Sequence, residues 1–323
     1  MARVATERVL RELEPSAERL VRRHLEAARD WLPHQFVPWS AARDFDGPLE
    51  GAAWTAEQSA LPQTVRDALI VNLLTEDNLP SYHLLIATRL GRDGAWGTWV
   101  HRWTAEEDRH SAVLRAFVHA RRAVDPVLLE ELRMRHVAVG YRNDAPTLLH
   151  LLAYLTVQEL ATRQAHRNTG AACGDPVGEA LMARIAADEN LHMLFYRGLF
   201  ADALQVFPDE ATVALTDVLE DFTMPGFGIP GFRARAARIA AAGIFNLDVH
   251  REYVVLPLMR ALGVMTLSGL GPTGRQAQER LGRYLERLEE QALRTRRLCA
   301  RITAGEAPAH LTTVDPEHLT TVD

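Results

Sequence analysis

The sequence contains no lysine, so all 36 of its basic residues are arginines. Against 42 acidic residues they leave a net charge of −6, which argues against a nucleic-acid partner. The two cysteines, Cys173 and Cys299, provide neither a disulfide framework nor the spacing of a thiolate metal site. No stretch approaches the roughly 18 uncharged apolar residues of a membrane span, and the N-terminus lacks the apolar segment of a signal peptide. These absences predict a cytoplasmic protein without a membrane span.

Apolar residues recur with helical periodicity along almost the whole chain. Helices are predicted near residues 5–30, 62–90, 95–120, 126–138, 145–169, 176–205, 209–222, 231–262 and 273–302. The sequence therefore predicts an all-α fold, with four or more helices long enough to form a bundle. We expect one domain over residues 1–303. Residues 304–323, in which HLTTVD occurs twice, are predicted to be disordered or to form a peptide that another molecule recognises.

Two segments carry Glu-x-x-His, in which a carboxylate precedes an imidazole by three residues. They are Glu107 to His110 in WTAEEDRHSAV and Glu189 to His192 in AADENLHMLF. Residues three apart lie on the same side of a helix, so each pair could offer an oxygen and a nitrogen ligand to one metal ion. Taken alone, each pair is better explained as part of a solvent-exposed helix face.

A lone glutamate in an apolar helix precedes each pair. Glu76 lies 31 residues before Glu107, and Glu159 lies 30 residues before Glu189. Because this separation fits a helix, a turn and part of a returning helix, each lone glutamate is predicted to lie beside its Glu-x-x-His partner. Four carboxylates and two imidazoles then converge in a bundle, the ligand set of a dinuclear iron or manganese site. Two divalent ions would compensate the burial of four carboxylates.

At these positions the sequence resembles the soluble acyl-[acyl-carrier-protein] desaturases, which are ferritin-like di-iron enzymes, and it is most similar to their actinobacterial branch. The resemblance rests on TEDNLPSYH, WTAEEDRH, VQELATRQAHRN and AADENLH, and it extends from about Trp31 to about Gly271. It implies a ferritin-like four-helix bundle core with additional flanking helices and a cofactor of two Fe ions. The implied iron ligands, with Glu107 and Glu189 as the bridging acids, are Glu76, Glu107, His110, Glu159, Glu189 and His192.

Three further residues match family positions beside these ligands. Asp188 matches an acid that accepts the ring N–H of His110, and Trp31 matches a tryptophan that continues this hydrogen-bond chain. Core packing is the alternative explanation for Trp31. Thr162 matches a threonine whose hydroxyl can hand on protons on the oxygen-binding side, and a hydroxyl bonded to its own helix is the alternative. The sequence departs from the family at four positions that are not ligands: Asp108, Ser111, Asn190 and Leu191.

The resemblance implies a dioxygen-dependent desaturase that places a cis double bond in an acyl chain carried on acyl carrier protein. It also implies electrons from a ferredoxin, and a homodimer. Because the carrier and this chain are both acidic, docking requires a local basic patch, for which Arg19, Arg22 and Arg23 are candidates. A solvated helix face is the alternative. Arg89 could shorten the acyl channel if it points inward, so the chain length stays open.

Other functions remain possible with the same ligands. One is a di-iron oxidase or hydroxylase acting on a carrier-tethered natural-product intermediate. Another is a non-enzymatic ferritin-like relative, against which the complete ligand set and Thr162 argue. A radical-bearing reductase subunit would need a tyrosine near the metals, for which Tyr82 and Tyr154 are candidates.

The segment LLTEDNLPSYHLL combines an acidic pair with a proline inside an apolar helix. Pro80 lacks the amide that would bond the carbonyl of residue 76. We therefore predict a kink or a π-type bulge beside Glu76, which would make room for dioxygen or substrate. Asp77, about 100° further around the helix, is expected to reach another partner or solvent.

Overall fold

The computed structural model describes residues 4–303, and in this range the chain forms twelve α-helices and no β-strand. None of these helices combines the length and apolarity that crossing a membrane requires. The predicted tail at residues 304–323 lies outside the described residues. The helices are α1 (Thr6–Ala27), α2 (Gln63–Glu76), α3 (Leu79–Leu90), α4 (Gly94–Ala120), α5 (Pro126–Val139), α6 (Leu148–Ala172), α7 (Pro176–Val206), α8 (Pro208–Glu220), α9 (Phe232–Ala241), α10 (Leu247–His250), α11 (Leu256–Leu262) and α12 (Pro272–Thr303).

Four of these helices form a central bundle. α6 and α7 pack along each other, α2 contacts both α4 and α6, and α4 also contacts α7. Their inward faces carry fully buried side chains such as Leu73, Trp99, Phe117 and Phe195, and burial of this apolar surface stabilises the bundle. α1 covers α4 and α7, while α8 and α12 pack together beside α6. The predicted all-α bundle with flanking helices is confirmed.

The turn between α6 and α7 is held by a well-defined helix cap. Asp175 accepts hydrogen bonds of 2.8 Å from the amide of Val177 and 3.2 Å from that of Gly178, and Pro176 occupies the first helical position. A Cβ at position 178 would lie 2.6 Å from the sulfur of Cys173, so only glycine allows this close packing. The cap and the close packing hold α6 and α7 together over their length.

The chain is distorted beside Glu76, as predicted, but the distortion is a break between two helices, so the prediction of one helix over residues 62–90 is wrong. α2 ends at Glu76 and α3 begins at Leu79. Between them the amide of Asn78 bonds the carbonyl of Thr75 at 3.2 Å, a tighter turn than that of an α-helix. Asp77 is buried at this break and forms an ion pair with Arg115 of α4. The break leaves Glu76 at the end of a helix, next to open space.

The prediction of a single helix over residues 231–262 is wrong. The chain there forms α9, α10 and α11, with a π-helical turn at Arg251–Val255 between the last two. Gly243, at φ 72°, interrupts the first helix, and the side chain of Asn246 caps the next by accepting from the amide of Val249 at 3.0 Å. The apolar periodicity continues across the segment from Gly243 to Asn246, which is why the sequence pattern did not reveal the break between α9 and α10.

Candidate metal centre

The six predicted ligands meet at one depth in the bundle, and all are buried. Glu76 ends α2, and Glu159 lies in the middle of α6. α4 and α7 each contribute one Glu-x-x-His pair, so the four bundle helices all point acidic side chains at the same place. Because each pair spans less than one helical turn, the glutamate and histidine of a motif face inward together.

The six side chains form two overlapping groups in which the possible ligand atoms lie within 4.8 Å of one another. The first half-site consists of Glu76, Glu107, His110 and Glu189. The second half-site consists of Glu107, Glu159, Glu189 and His192.

Glu107 and Glu189 belong to both half-sites. In Glu107, Oε2 lies 3.4 Å from Nδ1 of His110, while Oε1 lies 2.9 Å from Nδ1 of His192. In Glu189, Oε1 lies 3.3 Å from Nδ1 of His110, and Oε2 lies 3.8 Å from Nδ1 of His192. Each of these acids therefore directs one oxygen towards each half-site, which is the arrangement of a bridging carboxylate.

Several polar atoms at the centre of this cluster form no hydrogen bond within the described residues, although carboxylate oxygens and imidazole nitrogens face one another there at distances from 2.9 to 3.8 Å. They are Nδ1 of His110, Nδ1 of His192, Oε2 of Glu159 and Oε1 of Glu189. An unpaired buried polar atom costs about 1–3 kcal/mol, so four of them together form a site that fits a cation. Oxygen donors with imidazoles suit iron or manganese, and four carboxylate charges balance two divalent ions.

The electrostatics of the cluster are uneven. Burial raises the pKa of Glu159 well above its usual range, and the nearby charge of Glu189 raises it further. Burial also raises the pKa of Glu107, again with a contribution from Glu189. For Glu189 itself burial acts in the same direction, but the imidazoles of His110 and His192 outweigh it and lower the pKa well below its usual range. A bound metal ion would oppose the effect of burial on Glu107 and Glu159 and favour their charged forms.

Trp31 and Asp188 extend the first half-site outwards. The indole Nε1 of Trp31 donates a 2.7 Å hydrogen bond to Oδ2 of Asp188, and the same oxygen lies 3.5 Å from Nε2 of His110. This is an ion-pair distance, and Nε2 of His110 has no hydrogen-bond partner within the described residues. Arg184 binds the other oxygen of this acid, and the guanidinium of Arg109 lies 5.1 Å from the centre of the indole ring. Trp31 thus bonds Asp188 as well as packing in the core.

Sequence reasoning missed Glu106 and His24. Oε2 of Glu106 lies 3.0 Å from Nε2 of His192 and 2.9 Å from Nε2 of His24, which reaches in from α1. A signal was present, because Glu106 stands directly before a Glu-x-x-His motif, as Asp188 does before the other. His24 lies on the apolar face of α1, at helical spacing after Ala17 and Leu20, and this spacing could have predicted its burial but not its contact with Glu106.

A second histidine, His166, was also missed. It is fully buried on α6, and its Nε2 lies 2.8 Å from Oε1 of Glu76. The same nitrogen lies 3.8 Å from Oε1 of Glu189. His166 follows Glu159 by seven residues, which is two helical turns, so it faces the same side of the helix. That spacing is the signal that could have identified it.

Two cavities adjoin the cluster and share Thr75, Glu76 and Thr162 as lining residues. The first, here called the α9 cavity, lies between α2, α6, α9 and residues 224–227. The second is here called the tyrosine cavity. It is lined by Tyr82 and Tyr154 and also touches Glu107, Glu159 and Glu189. An extended apolar molecule passing from one cavity to the other would cross the cluster at Glu76.

Thr162 lies where the two cavities meet, and its hydroxyl accepts a 2.8 Å hydrogen bond from Gln158. Arg89 is half-buried and donates a 2.5 Å hydrogen bond to the carbonyl of Ala145. It is not among the residues that line either cavity. Its guanidinium therefore does not define the end of these spaces.

The candidate docking patch lies on α1, which packs against α4 and α7. Arg19 forms a 2.5 Å ion pair with Asp202 of α7, which offsets part of its charge. Arg22 and Arg23 are exposed. Whether this patch binds a carrier protein stays a prediction.

Comparison with known proteins identifies the family. A sequence model described as fatty acid desaturase matches residues 5–308. A Mycobacterium tuberculosis protein provisionally named acyl-[acyl-carrier-protein] desaturase DesA1 is 42% identical over 296 residues, which cover 89% of this chain and 87% of that protein. This chain belongs to the acyl-[acyl-carrier-protein] desaturase family. Members of this family are oxidoreductases, and the predicted class of enzyme is confirmed.

Two more desaturases extend the comparison. The X-ray structure of a protein provisionally named acyl-ACP desaturase DesA2, from M. tuberculosis, superposes on this chain with a TM-score of 0.68 at 31% sequence identity. The match covers 83% of this chain and 98% of that chain. This match confirms the ferritin-like fold. The chloroplastic stearoyl-[acyl-carrier-protein] 9-desaturase 6 of Arabidopsis thaliana is 29% identical over 287 residues, covering 81% of this chain and 72% of that protein.

Proposed function

We propose that this chain is a di-iron, dioxygen-dependent desaturase that introduces a cis double bond into an acyl chain carried on acyl carrier protein. Two of its relatives are named as desaturases of acyl chains on acyl carrier protein. The observation that carries the proposal is the position of the cluster at the wall shared by the α9 cavity and the tyrosine cavity. There an extended hydrocarbon could lie with its middle beside the ligands and its ends in apolar space.

Two iron ions would be held by the first and second half-sites, with Glu107 and Glu189 shared between them. Bound iron supplies reductive activation of dioxygen, the chemistry that removing hydrogen from unactivated methylenes requires. The protein's part is to bind both metals in a dry site, since all six ligand side chains are buried. The unpaired Nδ1 atoms of both histidines and the facing carboxylate oxygens support this assignment.

The cavities would determine which carbon atoms react. Leu155 and Trp103 line the tyrosine cavity, while Phe227 and Phe245 line the α9 cavity. Such walls bind methylene groups without directional bonds, so the shape of the channel holds two adjacent carbons beside the cluster. The hydroxyl of Thr162, where the cavities meet, is placed to hand on a proton.

Each turnover would remove two hydrogens from the chain and consume one dioxygen, two protons and two electrons, giving two waters. We infer that a ferredoxin supplies the electrons from outside. The acyl chain would be delivered on acyl carrier protein, whose acidity requires a basic docking surface on a protein of net charge −6. Arg22 and Arg23 are the exposed candidates for that surface.

The test is a reconstituted reaction. The protein is loaded with ferrous iron and assayed for metal content. It is then incubated with dioxygen, ferredoxin, its reductase and a panel of acyl-carrier-protein substrates. We expect about two irons per chain, and mass spectrometry is expected to show the loss of two hydrogens from the acyl group.

Other outcomes would count against the proposal in different ways. Gain of an oxygen atom would identify a hydroxylase with the same ligands. Fewer than about two irons per chain would contradict the dinuclear site. Glu26→Gln, an exposed change on α1 remote from the cluster, serves as the control and is expected to retain full activity.

A further inference from the structure

Each Glu-x-x-His motif is directly preceded by another acid, Glu106 on α4 and Asp188 on α7. In the structure each of these acids contacts the histidine of the opposite motif. Oε2 of Glu106 lies 3.0 Å from Nε2 of His192, and Oδ2 of Asp188 lies 3.5 Å from Nε2 of His110. The two motifs are therefore linked by contacts between each acid and the opposite histidine, although they lie on different helices.

Glu106 is held more completely than an acid with a single partner. It is 3% exposed, and its Oε1 accepts a 2.6 Å hydrogen bond from Arg102 one turn away. Its Oε2 is contacted by both His192 and His24. His24 in turn lies edge-on to the indole of Trp99, at 5.1 Å between ring centres. Contacts from α1 and α4 therefore fix the carboxylate in one orientation.

We propose that Glu106 is a positioning residue for the second half-site and that His24 supports it, so that α1 takes part in metal binding. A carboxylate facing Nε2 keeps the ring proton on that nitrogen, which leaves the Nδ1 lone pair of His192 directed at the cluster. Nδ1 of His192 does face the cluster, 2.9 Å from Oε1 of Glu107. The inference rests on the proposed function only in treating the cluster as a metal site.

The crossed arrangement makes a specific prediction about which metal ion each acid affects. Loss of Glu106 should weaken the ion held with His192, and loss of Asp188 should weaken the ion held with His110. Removing the carboxylate that orients a ligating histidine lowers metal affinity by about 10- to 100-fold. A variant that lacks either Glu106 or Asp188 should thus keep one tightly bound ion, while a variant that lacks both acids should keep none.

The experiment titrates metal-free full-length protein with Mn²⁺ under argon and follows free Mn²⁺ by electron paramagnetic resonance. The wild type is expected to bind two ions tightly. Glu106→Ala and Asp188→Ala should each bind one tightly and one about 10- to 100-fold more weakly. Glu106→Gln should lie closer to the wild type, because the amide oxygen can still accept from Nε2 of His192.

The matched control is Asp67→Ala. Asp67 is also a carboxylate of the bundle, 2% exposed, and it bonds Arg238 of α9 at 2.5 Å instead of a histidine. It is expected to lower the melting temperature while leaving both ions tightly bound. His24→Phe keeps an aromatic ring against Trp99 but removes the nitrogen, and it should weaken one ion by less than Glu106→Ala does.

Two tight ions of unchanged affinity in Glu106→Ala would overturn the proposal, as would an equal loss of affinity in Asp67→Ala. A wild type that binds fewer than two ions would also overturn it. If Glu106→Ala does not fold, His24→Phe decides, since unchanged affinity for both ions in that variant contradicts the inference. These binding constants are independent of catalysis, so a failure to detect desaturation would leave the result standing.

Discussion

Replacing Glu159 by glutamine is expected to stabilise the metal-free protein while removing one of its metal ions. Glu159 is 1% exposed in the middle of α6. Its Oε1 accepts a 3.3 Å hydrogen bond from the indole of Trp103, while its Oε2 accepts no hydrogen bond among the described residues and lies 3.7 Å from Nδ1 of His192. An amide of the same size keeps the bond to Trp103 but carries no charge, so the change isolates the cost of burying the carboxylate.

The magnitude follows from the raised pKa of Glu159. An ordinary glutamate has a pKa of 4.5, and burial raises the pKa of Glu159 well above that value. The folded state therefore holds a proton that the unfolded chain releases, and stability is lost as pH rises from 4.5 towards the folded pKa. At pH 7 this loss amounts to at most about 3 kcal/mol. Glu159→Gln should recover about 1–3 kcal/mol, or roughly 2–5 °C in melting temperature.

Chemical and thermal unfolding of the chelator-treated protein at pH 5 and pH 7 measures the effect. We expect the gain of Glu159→Gln over wild type to be larger at pH 7 than at pH 5. On addition of Mn²⁺ the order should reverse, because only the wild type gains the binding energy of a second ion. Glu26→Gln, an exposed change of the same type, should match the wild type throughout. A metal-free Glu159→Gln protein less stable than wild type at pH 7 would refute the reasoning.

Three further changes test other parts of the molecule. Burial lowers the pKa of His250 to about 4, so the unfolded chain takes up its proton first and stability is lost as pH falls from 6.5 towards 4. Between pH 7 and pH 5, the free energy of unfolding should therefore fall by about 2 kcal/mol less in His250→Phe than in the wild type, as measured by urea unfolding. An equal fall in both proteins would contradict this. Thr162→Val should still bind two metal ions but form less product per dioxygen consumed. Thr156, on the same helix, donates its hydroxyl to the carbonyl of Leu152, and Thr156→Val should form as much product per dioxygen as the wild type. Reversing the charges of Arg22 and Arg23 should raise the KM for carrier-linked substrates at unchanged kcat, and an unchanged KM would remove this patch from the account.

Spacing carried most of the information about the candidate metal centre. Glu107 and His110 share a helix face because residues three apart always do, whatever surrounds them. The separation of Glu76 and Glu107 along the chain fits a helical hairpin, and the apolar context of both segments predicted that the acids are buried. The break at Pro80 was predictable for the same reason, because a missing amide disrupts a helix locally.

Contacts between residues far apart in the chain were not predictable in this way. His24 reaches Glu106 across 82 positions, and nothing in the local pattern of α1 marks it as a partner. The break between α9 and α10 was missed because Gly243 and Asn246 act through the local backbone conformation, while the apolar periodicity runs on across them.

By itself, the sequence determined the helical class, the approximate positions of the bundle helices and the candidate ligands that they carry, because these depend on periodicity and short spacings along one chain. The tertiary structure alone decided that Glu106 contacts His192 and His24, where the two cavities meet, and that Arg89 donates to a backbone carbonyl. Those features depend on how the helices are placed relative to one another. That placement is set by the summed packing of many side chains, which no single segment encodes.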